Sequence, residues 1–154
     1  MQLLNGKDVA AFHGKRIAQQ IQVVREKKGI DPELAIVVVG DDAPSVMYAA
    51  SMKRTAESVG LNARICQEKE GVGEDELLLL IDRLNEDPAV FGILLMMPLP
   101  KSIDSQRIIN RIDSSKDVDG LTDANIANLY TGREGFVPAR RRLSWRFSII
   151  IIFR

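Results

Sequence analysis

LAIVVVG (34–40) is a short, nearly continuous apolar run that stops at a glycine. That is the pattern of a strand buried on both faces, the usual setting of a strand in a parallel sheet. FGILLMM (91–97) repeats it and ends at PLPKS. Between the two, DDAPS (41–45) is turn chemistry, and VMYAASMKRTAESVG (46–60) reads as a helix closed by Gly60. LNARICQ (61–67) alternates like a strand, and EDELLLLIDRLNED (74–87) is a helix with acids in its first turn and Pro88 as its stop. Upstream, HGKRIAQQIQVVREKK (13–28) sets Ile17, Ile21 and Val24 at helical spacing before Gly29. Downstream, IDSQRIINRI (103–112) is a further helix, and SSKDVDGLTDAN (114–125) is a polar, Asp-rich loop. This alternation predicts an α/β, three-layer domain around a mostly parallel sheet. Ligands of such sheets bind at the carboxyl ends of the strands. GDDAPS, MPLPKS and KDVDG are therefore expected to converge there, beside the start of the helix carrying Tyr48.

The chain has 154 residues, the size of one domain, and 21 basic residues balance 21 acidic ones. A net charge of zero gives no footprint for nucleic acid or an anionic membrane, so neither is expected as a partner. The single cysteine, Cys66, excludes an internal disulfide framework and suits a reducing compartment. The first twenty residues lack the apolar core of a signal peptide, and SIIIIF near the end is too short for a span. A soluble, cytoplasmic protein is the expectation. His13 stands alone without metal-ligand spacing, so no metal is expected. GVGEDE (71–76) is read as lacking both a preceding strand and the third glycine of a phosphate loop.

The rim residues admit two readings each. Tyr48 is either a half-buried helical tyrosine or a ring face and hydroxyl offered to a ligand. Asp117 and Asp119 flank Val118 in a turn closed by glycine. They are either a solvated turn, with Asp117 capping local backbone N–H groups, or present a carboxylate to the paired N–H donors of a heterocycle such as a pterin. Pro98–Leu99–Pro100 is a plain stop or a rigid ligand wall. Cys66 reads as a small core residue.

Taken together, GDDAPSVMY, MKRTAESVGL, FGILLMMPLP and KDVDGLTDAN, in this order and spacing, resemble the folate-binding catalytic domain of the methylenetetrahydrofolate dehydrogenase/cyclohydrolase family. The resemblance runs from about Leu4 to Pro138. It implies oxidation of 5,10-methylenetetrahydrofolate with NAD(P)⁺ and, in bifunctional members, hydrolysis of the methenyl product. Tyr48 matches the family's pterin-facing tyrosine, Asp119 its pterin-binding aspartate, and Ser45 the serine three residues before that tyrosine. Met52, Met96, Met97 and Pro98 complete the implied substrate site, with Tyr48 and Asp119 as its catalytic pair.

Two departures bear on chemistry. The family's catalytic lysine lies four residues after the tyrosine, where this chain has Met52, and its supporting glutamine is replaced by Met96. Lys53 is no simple substitute. At ~100° per residue Met52 sits about 40° round the helix from Tyr48 and Lys53 about 140°. The implied activity is therefore that of a dehydrogenase with little or no cyclohydrolase. Hydride transfer needs no general base. A third departure is that the family continues into a Rossmann domain for the dinucleotide. That domain is expected to be missing here, leaving no cofactor-binding residue in the chain and the chain inactive alone. Relatives of this kind are expected to be homodimers. The rival readings are a non-catalytic folate-binding module and a generic α/β interaction domain.

Domain 1–138 is followed by a stretch of different character. Residues 139–154 contain five Arg, the only Trp, four consecutive Ile and no acid. Such a tail is expected from a frameshift, one nucleotide lost near codon 139.

Overall fold

A computed structural model describes residues 6–137. The elements are α1 (Gly6–Lys28), β1 (Glu33–Val39), α2 (Ala43–Ser58), β2 (Asn62–Glu68), α3 (Glu74–Glu86), β3 (Val90–Leu95), α4 (Ser105–Arg111) and α5 (Asp123–Thr131). The strands form one parallel sheet in the order β2-β1-β3. The run at 34–40 thus supplies the central strand, and its unbroken apolar character follows from having a core on each side. Ala35 and Val37 face the larger core with Leu77, Ile81 and Leu84 of α3 and Ile108 and Ile109 of α4. Ile36 and Val38 face a smaller core with Ala49, Val46 and Met52 of α2. Helix, sheet and helix make the three expected layers.

Several boundaries differ from the sequence reading, each for a local reason. DDAPS is more than a turn. The Asp42 side chain accepts from the Ser45 N–H at 3.1 Å and Pro44 sits in the first turn, so α2 starts at Ala43. GVG does follow a strand, because residues 69–73 link β2 directly to α3; the missing preceding strand is corrected, and the third glycine is still absent. The segment 114–125 is not all loop. The Ile93 N–H donates to the Lys116 carbonyl at 2.7 Å, and Asp117 forms a parallel bridge with Ile93, a short rung on the outer side of β3. Its far end opens α5, where the Thr122 hydroxyl accepts from the Asn125 N–H at 3.3 Å. α1 begins at Gly6, earlier than the expected 13. The segment 139–154 lies outside the described residues.

Candidate functional site

Parallel pairing brings the ends of β1 and β3 to one edge of the sheet, and α2 starts there directly after β1. Ser45 is half-buried in the first turn of α2. Tyr48, one turn on, is 61% exposed, which corrects the half-buried alternative and leaves both ring and hydroxyl open to the rim. Ala49 beside it is fully buried and pins the helix to the sheet, and Met52 follows on the same face against the smaller core. The Met96 N–H donates to the Val37 carbonyl at 2.9 Å, extending the β1–β3 pairing, and its side chain packs on that same core. Met97 is 41% exposed and Pro98 is exposed, joined by a cis peptide bond, while Leu99 is buried in the larger core and anchors the turn.

KDVDG separates into distinct tasks. Lys116 Nζ donates to the carbonyls of Leu84, Asn85 and Asp87 at 3.1, 2.6 and 2.8 Å, satisfying the C-terminal end of α3. Asp117 is 2% exposed and accepts from the Thr122 N–H at 2.8 Å and from Asn125 Nδ2 at 3.0 Å. Burial pushes its pKa up, but these bonds and one from the Leu121 N–H prevail and hold it below the ordinary carboxylate value. Asn125 also donates to the Ser114 carbonyl at 2.9 Å and accepts from the Phe136 N–H at 3.1 Å, closing a buried polar network. Val118 packs against the smaller core. Gly120 takes φ 65°, which the turn requires.

Asp119 differs from its neighbours. It is half-buried, and no hydrogen bond among the described residues supports its carboxylate. Its pKa is raised, first by burial and then by the charge of Asp117. Asp117 is thus the internal cap, whereas Asp119 takes no part in that network. Met52, Met96 and Val118 share one apolar cluster, so the α2 helix, the end of β3 and the Asp119 loop meet as expected. A thioether exchanges no protons, and the floor of this site is therefore apolar where the resemblance implies a lysine. Lys53 pairs with Glu57 at 3.7 Å along α2, which runs as a continuous α-helix, so it does not take the place of Met52.

The remaining candidates lie elsewhere. Cys66 packs against the larger core, and burial pushes its thiol pKa up, away from thiolate chemistry. His13 makes an edge contact with Phe12 at 5.6 Å. No cluster of His, Cys, Asp and Glu among the described residues can hold a metal ion. The glycine-rich turn at 71–73 opens onto Glu74, Asp75 and Glu76 in the first turn of α3, which repel a pyrophosphate. That turn therefore does not fit a dinucleotide. No described helix is long and apolar enough to cross a membrane. Sequence reading missed Thr122, Asn125 and the role of Lys116. Thr122 ahead of a helix was a readable capping signal, whereas Lys116 acts across a long sequence separation.

Comparison with known proteins agrees with this geometry. The profile described as tetrahydrofolate dehydrogenase/cyclohydrolase, catalytic domain, matches residues 4–119. The bifunctional protein FolD of Staphylococcus haemolyticus is 38% identical over 136 residues, 88% of this chain and 47% of that relative. The crystal structure of the bifunctional methylenetetrahydrofolate dehydrogenase/cyclohydrolase of Campylobacter jejuni superposes with a TM-score of 0.85 at 38% identity, over 90% of this chain and 49% of that one. The Trypanosoma brucei dehydrogenase-cyclohydrolase, solved with NADP cofactor and an inhibitor, gives a TM-score of 0.81 at 26% identity over 89% and 47%. The chain spans about half the length of the relatives it matches.

Proposed function

The chain belongs to the tetrahydrofolate dehydrogenase/cyclohydrolase family, and from that premise we propose that residues 1–138 form the tetrahydrofolate-binding domain of a 5,10-methylenetetrahydrofolate dehydrogenase whose cyclohydrolase step is lost. One observation carries this reading. Asp119, whose carboxylate no hydrogen bond supports, directly follows Val118, which packs in one apolar cluster with Met52 and Met96. The Asp119 carboxylate accepts paired N–H bonds from the pterin, and the exposed Tyr48 offers its ring face and hydroxyl. Ser45, Met97 and Pro98 border the same rim. Met52 and Met96 bind and exclude water but move no proton, so the methenyl product is not hydrolysed here. NAD(P)⁺, which the Trypanosoma brucei relative binds as NADP, supplies the hydride acceptor in this reaction. Because the glycine turn at 71–73 does not fit its pyrophosphate, the domain alone is read as binding folate without dehydrogenase turnover.

The test uses the purified chain. 5-Formyltetrahydrofolate should bind and Asp119→Ala should abolish binding; no binding by the parent chain sinks the folate reading. Hydrolysis of 5,10-methenyltetrahydrofolate should stay at the uncatalysed rate. Met52→Lys with Met96→Gln should raise it, and Met52→Lys alone should do less, its amine lacking a tuning partner. Turnover with added NAD⁺ or NADP⁺ by the unmodified chain would refute the claim that the domain alone is inactive.

A further inference from the structure

Gly92 lies inside β3, opposite Leu34 of β1, and is buried. Its φ is not positive, so backbone conformation gives no reason for a glycine, and an interior strand glycine weakens a sheet. Space gives the reason. A Cβ at Gly92 would stand 2.5 Å from Cγ1 of Val118 and 3.3 Å from Cδ1 of Leu34. The absent side chain leaves a notch, and Val118 fills it. Lys116 and Asp117 are fixed by their own bonds to α3 and to the start of α5. At Val118 the backbone is held less firmly: its N–H reaches the Ile93 carbonyl only at 3.5 Å, against 2.7 Å for the Ile93 N–H to Lys116. The seat of the Val118 side chain therefore determines how close the next residue, Asp119, comes to the sheet.

We propose that Gly92 is a positioning residue for the substrate, acting through Val118 to set the place of the Asp119 carboxylate. This rests on the reading of Asp119 as the folate-binding group. Gly92→Ala drives Val118 outward and carries Asp119 with it. Val118→Ala in the same chain removes the clashing methyl, because the Val118 Cβ lies 3.9 Å from the added atom.

The experiment is a complementary-size cycle on the whole chain with two readouts, 5-formyltetrahydrofolate affinity and the backbone and carboxyl resonances of residues 118–120. Gly92→Ala should weaken binding by about tenfold, the low end of an overpacking cost expressed as affinity, and should shift the Asp119 resonances. Gly92→Ala with Val118→Ala should recover most of the affinity and return the resonances. A double variant as weak as Gly92→Ala, or Asp119 resonances unmoved by Gly92→Ala, would overturn the proposal. If the parent chain binds no folate, the binding reading fails by itself and the resonances still decide the positioning claim. If Gly92→Ala does not fold, Val118→Ala alone decides. It should loosen the loop and shift the Asp119 resonances while the fold survives, and unmoved resonances would count against the notch.

Discussion

On the α3/α4 side of the sheet the core is closed. Leu77, Ile81 and Ile108 are wholly buried there, and the helices above them are tied together at the surface by Arg111–Asp82, by Arg107–Glu74 and by the Asp104 N–H on Glu74 at 2.8 Å. On the α2 side the cluster is smaller, with Ile36, Val38, Ala49 and Leu94 as its buried members, and it grades outward through Met52, Met96 and Val118. One face stores stability. The other gives up burial, and there the proposed folate would be reached. The same division recurs within three residues of KDVDG, where Asp117 is sealed and hydrogen-bonded while Asp119 is half-buried with no hydrogen bond to its carboxylate.

The sharpest way to break this comparison is to truncate each face. Ile81→Ala should cost about 2–5 kcal/mol, the range for a wholly buried aliphatic side chain that leaves a cavity. Met52→Ala, half-buried at the edge of the smaller core, should cost about 1 kcal/mol or less. Denaturant midpoints at equal slope read both, and equal costs would mean that the two faces do not differ. Next in size is Asp117→Ala. It leaves the Thr122 N–H and one Asn125 N–H buried without an acceptor, at about 1–3 kcal/mol for each. Asp119→Ala should stay within about 0.5 kcal/mol of the parent, as surface changes do, while losing the ligand.

How much of this was readable without coordinates follows the range of the interactions. LAIVVVG announces a central strand because burial on two faces leaves its mark on every residue. Helical spacing sets Met52 near the face of Tyr48 but does not say what that face meets, and in the fold Met52 packs on the smaller core. DDAPS looks like a turn and LTDAN like part of a polar loop although each contains a cap, because Asp and Thr in a polar run resemble turn residues until the partner N–H is known. Lys116 reaches carbonyls roughly thirty residues away and Gly92 accommodates Val118 across a similar separation. No local pattern encodes such pairs. Residue type and spacing alone do not separate Asp117 from Asp119, which only the family resemblance tells apart; in the fold the difference is made by the Asn125 side chain and the start of α5.

A smaller effect sharpens the contrast between the two aspartates. Folate affinity should fall as pH drops through the raised pKa of Asp119, because only the ionised carboxylate accepts both N–H bonds. The loss should begin above the pH at which an ordinary aspartate with pKa 3.8 protonates. Its slope should approach about tenfold per unit once the group is protonated. Asp117, held below the ordinary value, stays charged through that window. Binding measured from neutral to mildly acid pH checks this, and a flat profile would remove Asp119 from the contact.

The smallest effect is on stability and has opposite signs at the two positions. The folded-state pKa of Asp119 is raised above its unfolded value, so the fold disfavours its charged form. That penalty is absent below the unfolded pKa near 3.8 and complete above the raised folded value. Asp119→Asn should therefore stabilise the chain at neutral pH by a few tenths of a kcal/mol, a size set by solvent screening of a half-buried group. The gain should vanish in acid. For Asp117 the folded pKa is lowered, so its contribution is present above the unfolded pKa and is lost as pH falls through the folded one. Asp117→Asn should then destabilise at neutral pH, and its deficit should shrink in acid. Thermal midpoints of the two asparagine variants against pH should converge on the parent at low pH from opposite sides. Curves approaching from the same side would show that the chain does not treat its two aspartates as cap and contact.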